Sequence, residues 1–221
     1  MFKHGFALAF IISLFATSVS AQSIVVPEMK PLPAATLIIG SYQSEPSQLN
    51  ENPTDPPNPF AAGSWSFQTY GSAVVGDPDH GFMYAYHFGF GYYFVDGLSI
   101  NFEPLVGYVE NNFTPFEGSG IAAGFDLLFR WHIFGIDNND TFSIYFDGGA
   151  GFQLADTNFP SDSHHDFRLL AGFGAQVKIP KTENARILGG ARYLHISNAG
   201  TSDVNDGLDG AQLYLGLLFN Y

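Results

Sequence analysis

Near the C-terminus of this 221-residue chain, His195 and Ser197 stand two residues apart, and Asp209 follows after a stretch that contains Gly200 and Gly207. A serine hydroxyl is a poor nucleophile until a neighbouring base takes its proton, and an imidazole works better as that base when an acid fixes its tautomer. Ser197, His195 and Asp209 could fill those three roles. On an extended strand, residues two apart share a face with their Cα atoms about 7 Å apart, close enough for an imidazole to reach a hydroxyl. A His-x-Ser pair near a strand end is equally what a polar cluster in a lipid headgroup region would look like. The elements that carry these residues therefore have to be read first.

Charged residues make up only 13% of the chain, whereas aromatics reach 16%, with 23 Phe and 25 Gly. Ordinary soluble domains carry about 25% charged residues. After the N-terminus no apolar run approaches the roughly 20 residues of a membrane-spanning helix. Aromatic-rich, Gly-rich and charge-poor, without such helices, is the composition of a transmembrane β-barrel. The alternative, a soluble β-sandwich, also alternates and turns on glycine, but has no need of so few charges. The balance of 8 basic to 21 acidic residues argues against a nucleic-acid partner, which demands Lys and Arg clusters. The absence of Cys removes disulfides, thiolate metal sites and thiol nucleophiles together.

Three regions follow. Residues 1–21 have Lys3, an apolar stretch and Val19-Ser20-Ala21 at their end, the pattern of a signal peptide. Residues 22–63 hold eight of the 13 prolines and read as a Pro-rich periplasmic extension, with Ala35 to Tyr42 as a short segment that could pair as a strand or bind a partner. Residues 64–221 alternate with period 2 in eight segments: Ser64 to Val74, Met83 to Phe94, Leu98 to Val109, Gly120 to Ile133, Phe142 to Ala155, Asp166 to Lys178, Ala185 to Ser197 and Asp209 to Tyr221. The fold class predicted is all-β, an eight-stranded antiparallel transmembrane barrel, the smallest common size.

Faces follow from cost, since Arg or Lys toward lipid at the midplane costs about 2 to 4 kcal/mol. Charges therefore mark the lumen. Asp126, Arg130, His132, Asp147, Arg168, Arg186 and Arg192 are predicted to form an interior salt-bridge plug, in a barrel too narrow for a channel. With Arg186 and Arg192 inside, Ile187, Ala191, Tyr193, His195 and Ser197 turn toward lipid, and Asp209, in phase with Leu213, points the same way. If both chain ends of the barrel lie in the periplasm, the three polar residues meet at the outer-leaflet rim.

The run His195-Ile-Ser-Asn-Ala-Gly200, followed by Asn205-Asp-Gly207-Leu-Asp209 and a last strand, resembles the signature of the lipid A 3-O-deacylase (PagL-like) family of outer-membrane enzymes. The resemblance spans about Ser64 to Tyr221 and is sharp in the last two strands and their loop. It implies an outer-membrane serine esterase that removes an ester-linked 3-hydroxyacyl chain from lipid A of lipopolysaccharide. It also implies His195 as base, Ser197 as nucleophile, Asp209 as acid, and an oxyanion hole at Asn198, Ala199 and Gly200. The family's usual acid is Glu, one methylene longer than Asp209, and Asp203 or Asp206 in the loop could take that role.

Neither a cofactor nor a metal is expected, because the adjacent His164 and His165 diverge in a loop and no ligand partner stands at suitable spacing. The partners expected are lipopolysaccharide and other outer-membrane lipids, with a homodimer left open. A rival reading is a non-catalytic barrel that anchors or adheres, and another keeps the esterase but moves it to phospholipid or acyloxyacyl bonds.

Overall fold

The computed structural model describes residues 58–76, 81–134, 141–160, 162–201, 203–205 and 207–221. All described residues belong to the unit Glu51–Tyr221. The signal peptide, the segment from Ala35 to Tyr42, most of the Pro-rich extension and Asp206 lie outside the described residues.

Eight strands close into an antiparallel barrel in sequence order: β1 (Trp65–Gly76), β2 (Phe82–Val95), β3 (Leu98–Asn111), β4 (Gly118–Phe134), β5 (Phe142–Ala155), β6 (His165–Lys178), β7 (Ala185–Ser197) and β8 (Leu208–Asn220). Closure comes from pairing β1 with β8 from Ser66 opposite Asn220 to Gly76 opposite Gly210, which leaves the sheet without a free edge. The expected segments match these strands to within two residues at every end: β1 and β3 run two residues further than alternation indicated, and β4 begins two residues earlier. Asp96-Gly97 joins β2 to β3, with Gly97 in the left-handed region at φ 72° that a two-residue hairpin turn requires.

Alternation divides the side chains as the cost of a lipid-facing charge demands. Outward positions of β2 are Tyr84, Tyr86, Phe88, Phe90, Tyr92 and Phe94, all exposed, and β8 presents Leu213, Leu215 and Leu217. Inside, the seven predicted plug residues are all buried. Asp147 accepts from Arg130 Nε at 2.8 Å and from Arg192 Nη2 at 2.6 Å, while Arg168 Nε lies 2.8 Å from Asp126 Oδ1. Glu103, which alternation on β3 did not single out, joins them: it lies 3.2 Å from Arg192 Nη1 and accepts from Gln68 and Tyr70. Buried ions are tolerable only when paired and hydrogen-bonded, and these are.

The end of the barrel near Trp65 and Asn220 is closed by residues before β1. Phe60 is fully buried beside Tyr93 and His132, with Arg186 stacked over its ring at 4.8 Å. Gly97 N–H donates to the Phe60 carbonyl and Asn220 Nδ2 to that of Pro59. The last residues before the first strand are thus an integral stopper for the barrel.

Candidate active site

The site forms at the opposite end, where β7 and β8 finish and start. Their register sets His195 directly opposite Asp209, with Tyr193 opposite Ala211 and Ile196 opposite Leu208. Directly opposed residues on a shared face bring their side chains together. Here His195 Nδ1 lies 2.8 Å from Asp209 Oδ1. The carboxylate can only accept when ionised, so this pairing puts the ring proton on Nδ1 and leaves Nε2 to act as a base. The shorter acid reaches because it binds the nearer ring nitrogen across one ladder rung. Side-chain exposures of 32% for His195 and 65% for Asp209 put the pair on the outer wall of the barrel, away from the lumen.

Ser197 ends β7, half-buried and on the face that carries His195. Gly207, at φ 65°, sits against both residues: a Cβ placed there would lie 3.3 Å from His195 Cε1, 3.6 Å from Ser197 Cβ and 3.0 Å from the Ile196 carbonyl. Only glycine gives both the left-handed backbone and this close approach without crowding the imidazole.

The loop after β7 is built around Asn198, whose side chain is fully buried. Its backbone N–H donates to Asn205 Oδ1 at 3.1 Å, and its Nδ2 donates to the Val204 carbonyl at 2.8 Å. Its Oδ1 accepts from Gly200 N–H at 2.8 Å, and its carbonyl accepts from Thr201 N–H and hydroxyl. Asp162, from the loop between β5 and β6, braces the same turn through Asn198 Nδ2 at 3.4 Å and Val204 N–H at 3.3 Å. Ala199 and Gly200 are both left-handed, at φ 53° and 77°. For alanine that conformation costs about 1 to 2 kcal/mol, a cost such turns bear where the backbone must aim at something. Of the three residues expected at an oxyanion hole, Asn198 and Gly200 therefore use their N–H groups inside the loop. The Ala199 N–H has no acceptor among the described residues.

The remaining candidates fall elsewhere. Asp203 is exposed in the loop, and the described residues show it no hydrogen bond to His195. His164 Nδ1 is 3.0 Å from the Ala155 carbonyl, and His165 opens β6. Among the described residues, His87, Glu103 and Asp126 bring possible metal-ligand atoms within 4.8 Å of one another in the lumen. Both of those carboxylates are already held by arginines, so a cation there would displace an existing ion pair. Sequence reasoning passed over Asp162, whose role exists only once the two loops meet, and read Asn205 as part of a turn and of the family-like run without a role of its own. It also assigned nothing to Tyr193 beyond facing lipid.

The model of the family described as lipid A 3-O-deacylase (PagL) matches residues 61–217, the whole barrel up to the middle of its last strand. This chain belongs to the lipid A 3-O-deacylase (PagL) family. Among solved structures, the outer membrane enzyme PagL superposes with a TM-score of 0.52 at 17% identity, covering 67% of this chain and 97% of that one. The outer membrane protein OprG from Pseudomonas aeruginosa gives 0.51 at 15% identity, covering 73% and 97%. At such identities the two structures speak for the barrel fold alone. No curated protein matches the sequence. Family membership and the barrel together locate this PagL-family protein in the Gram-negative outer membrane.

Proposed function

We propose that this PagL-family barrel is a serine esterase of the outer leaflet that releases the 3-hydroxyacyl chain ester-linked at the 3-position of lipid A. The observation that carries the reading is the 2.8 Å hydrogen bond between His195 Nδ1 and Asp209 Oδ1 on the lipid-facing wall, two residues from Ser197 on the same face. A polar cluster that merely met headgroups would have no need of an imidazole held in one tautomer.

Substrate arrives by lateral diffusion, and its acyl ester is presented at the rim without leaving the membrane. Ser197 Oγ attacks the carbonyl while His195 Nε2 takes the hydroxyl proton. Asp209 holds Nδ1–H and stabilises the imidazolium that forms. The Ala199 N–H, which has no acceptor among the described residues, is the backbone donor for the oxyanion. His195 then gives its proton to the departing sugar oxygen, leaving an acyl-enzyme. Water, deprotonated by the same Nε2, releases the fatty acid and restores Ser197.

Purified protein incubated with lipopolysaccharide should lower the lipid A mass by one 3-hydroxyacyl group and release the matching free fatty acid, and Ser197→Ala should do neither. Unchanged acylation across lipid A of several structures would overturn the reading. Release of a secondary chain, or of fatty acid from phospholipid, would keep the esterase and replace the substrate bond.

A further inference from the structure

Tyr193 lies two rungs from the His195–Asp209 pair, on the same outward face of β7, nearly half its surface exposed. Its hydroxyl donates to Asp209 Oδ1, the same oxygen that accepts from His195 Nδ1. A tyrosine at a membrane interface ordinarily turns its hydroxyl to water or headgroups. This one instead spends its single donor on the acid of the pair.

We infer that Tyr193 is a positioning residue for the reaction, a clamp that holds Asp209 in the rotamer that orients His195. The inference rests on the proposed function, because a clamp on the acid matters only if His195 acts as a base. Its physical basis is the environment of Asp209. The carboxylate is largely exposed on the lipid-facing wall. An aspartate in that position has several accessible rotamers, and only some meet Nδ1. A second donor fixed by the rigid backbone of β7 removes that freedom, since Tyr193 and His195 are two residues apart on one strand and converge on one oxygen. Two donors also replace part of the hydration a carboxylate loses near hydrocarbon. With its short arm, Asp209 sits close enough to the β7 backbone for both to reach it.

The test is Tyr193→Phe, which keeps the ring and removes only the hydroxyl, beside Tyr84→Phe as an outward tyrosine on β2 far from the site. Each is measured for kcat and KM of fatty-acid release from lipopolysaccharide, and for the rate of Ser197 labelling by a fluorophosphonate. Labelling is also followed for Tyr193→Phe in an Asp209→Asn background. Heat-modifiable migration reports that the barrel is intact. A hydrogen bond to a charged group carries enough free energy that Tyr193→Phe should lower kcat and labelling about 10- to 100-fold with KM unchanged. Tyr84→Phe should change neither. In the Asp209→Asn background the same substitution should alter labelling by less than about twofold, because the acid it serves is gone. Full activity of Tyr193→Phe, or an equal fractional loss in both backgrounds, overturns the clamp. Ser197→Ala run alongside separates the two claims. If it is inactive while Tyr193→Phe is fully active, the clamp alone fails; if it is fully active, the esterase reading fails and the clamp with it.

Discussion

Asp209 Oδ1 lies 2.8 Å from His195 Nδ1 because the two residues oppose each other in the β7–β8 ladder, so that a backbone register, and not a flexible loop, sets their meeting. That relationship makes the consequences of substitution specific.

Asp209→Asn should fold and insert as the native chain does yet lose most activity, since an amide can offer its NH2 to Nδ1 and stabilise the wrong tautomer. The comparable change in a serine protease triad costs about 10⁴-fold. Asp209→Glu should retain activity or raise it. Asp203→Asn, altering an exposed loop residue, should stay within about threefold of native. Initial rates of fatty-acid release from lipopolysaccharide compare all three, and an inactive Asp203→Asn beside a fully active Asp209→Asn would move the acid into the loop.

Asn198→Ala removes a buried side chain that makes bonds to Gly200, Val204 and Asp162. Because Asn198 carries the turn that holds Ala199, the proposed oxyanion donor, activity should fall at least 100-fold, the size of losing such a donor. The barrel should survive, since none of those partners lies in a strand. Heat-modifiable migration like the native protein, together with a loss in kcat, is the expected result.

Gly207→Ala meets both a left-handed backbone and the His195 ring, with its new methyl 3.3 Å from Cε1. The strain is about 1 to 2 kcal/mol, and if it is relieved by turning the imidazole, kcat should drop roughly tenfold with little change in melting temperature. Gly200→Ala, where a Cβ meets nothing within 4 Å, is the control for backbone strain without contact.

Asp147→Ala removes from Arg130 and Arg192 at once the carboxylate both pair with most closely, leaving them only Glu103 among the described carboxylates. Breaking a buried pair by removing one member costs about 3 to 5 kcal/mol, so the unfolding midpoint in denaturant should fall markedly. Any protein that still folds should keep near-native kcat, because the lumenal network faces away from the site on the outer wall.

Much of this architecture is legible along the chain because a membrane penalises mistakes locally. Arg130 must face inward wherever its neighbours go, and from that one fact the parity of Leu127, Phe129 and Trp131 follows, strand by strand, without knowledge of which strands pair. His195, Ser197 and Asp209 share a face for the same reason. Other relations need the closed barrel. Alternation does not say which acid meets His195, because Asp203, Asp206 and Asp209 are all within a loop's reach until the β7–β8 register puts Asp209 across one rung. Glu103 becomes part of the plug only when closure sets it beside Arg192, 89 residues away in sequence. Phe60 belongs to a proline-rich stretch with no strand pattern, and its burial exists only because an assembled barrel offers it a mouth. The N–H groups of Asn198 and Gly200 looked available as oxyanion donors; folding of the loop onto itself supplied Asn205 Oδ1 and Asn198 Oδ1 as their acceptors. Local periodicity records what each residue owes to water or lipid, whereas hydrogen-bond partners are chosen by register and ring closure, which couple residues that no local pattern connects.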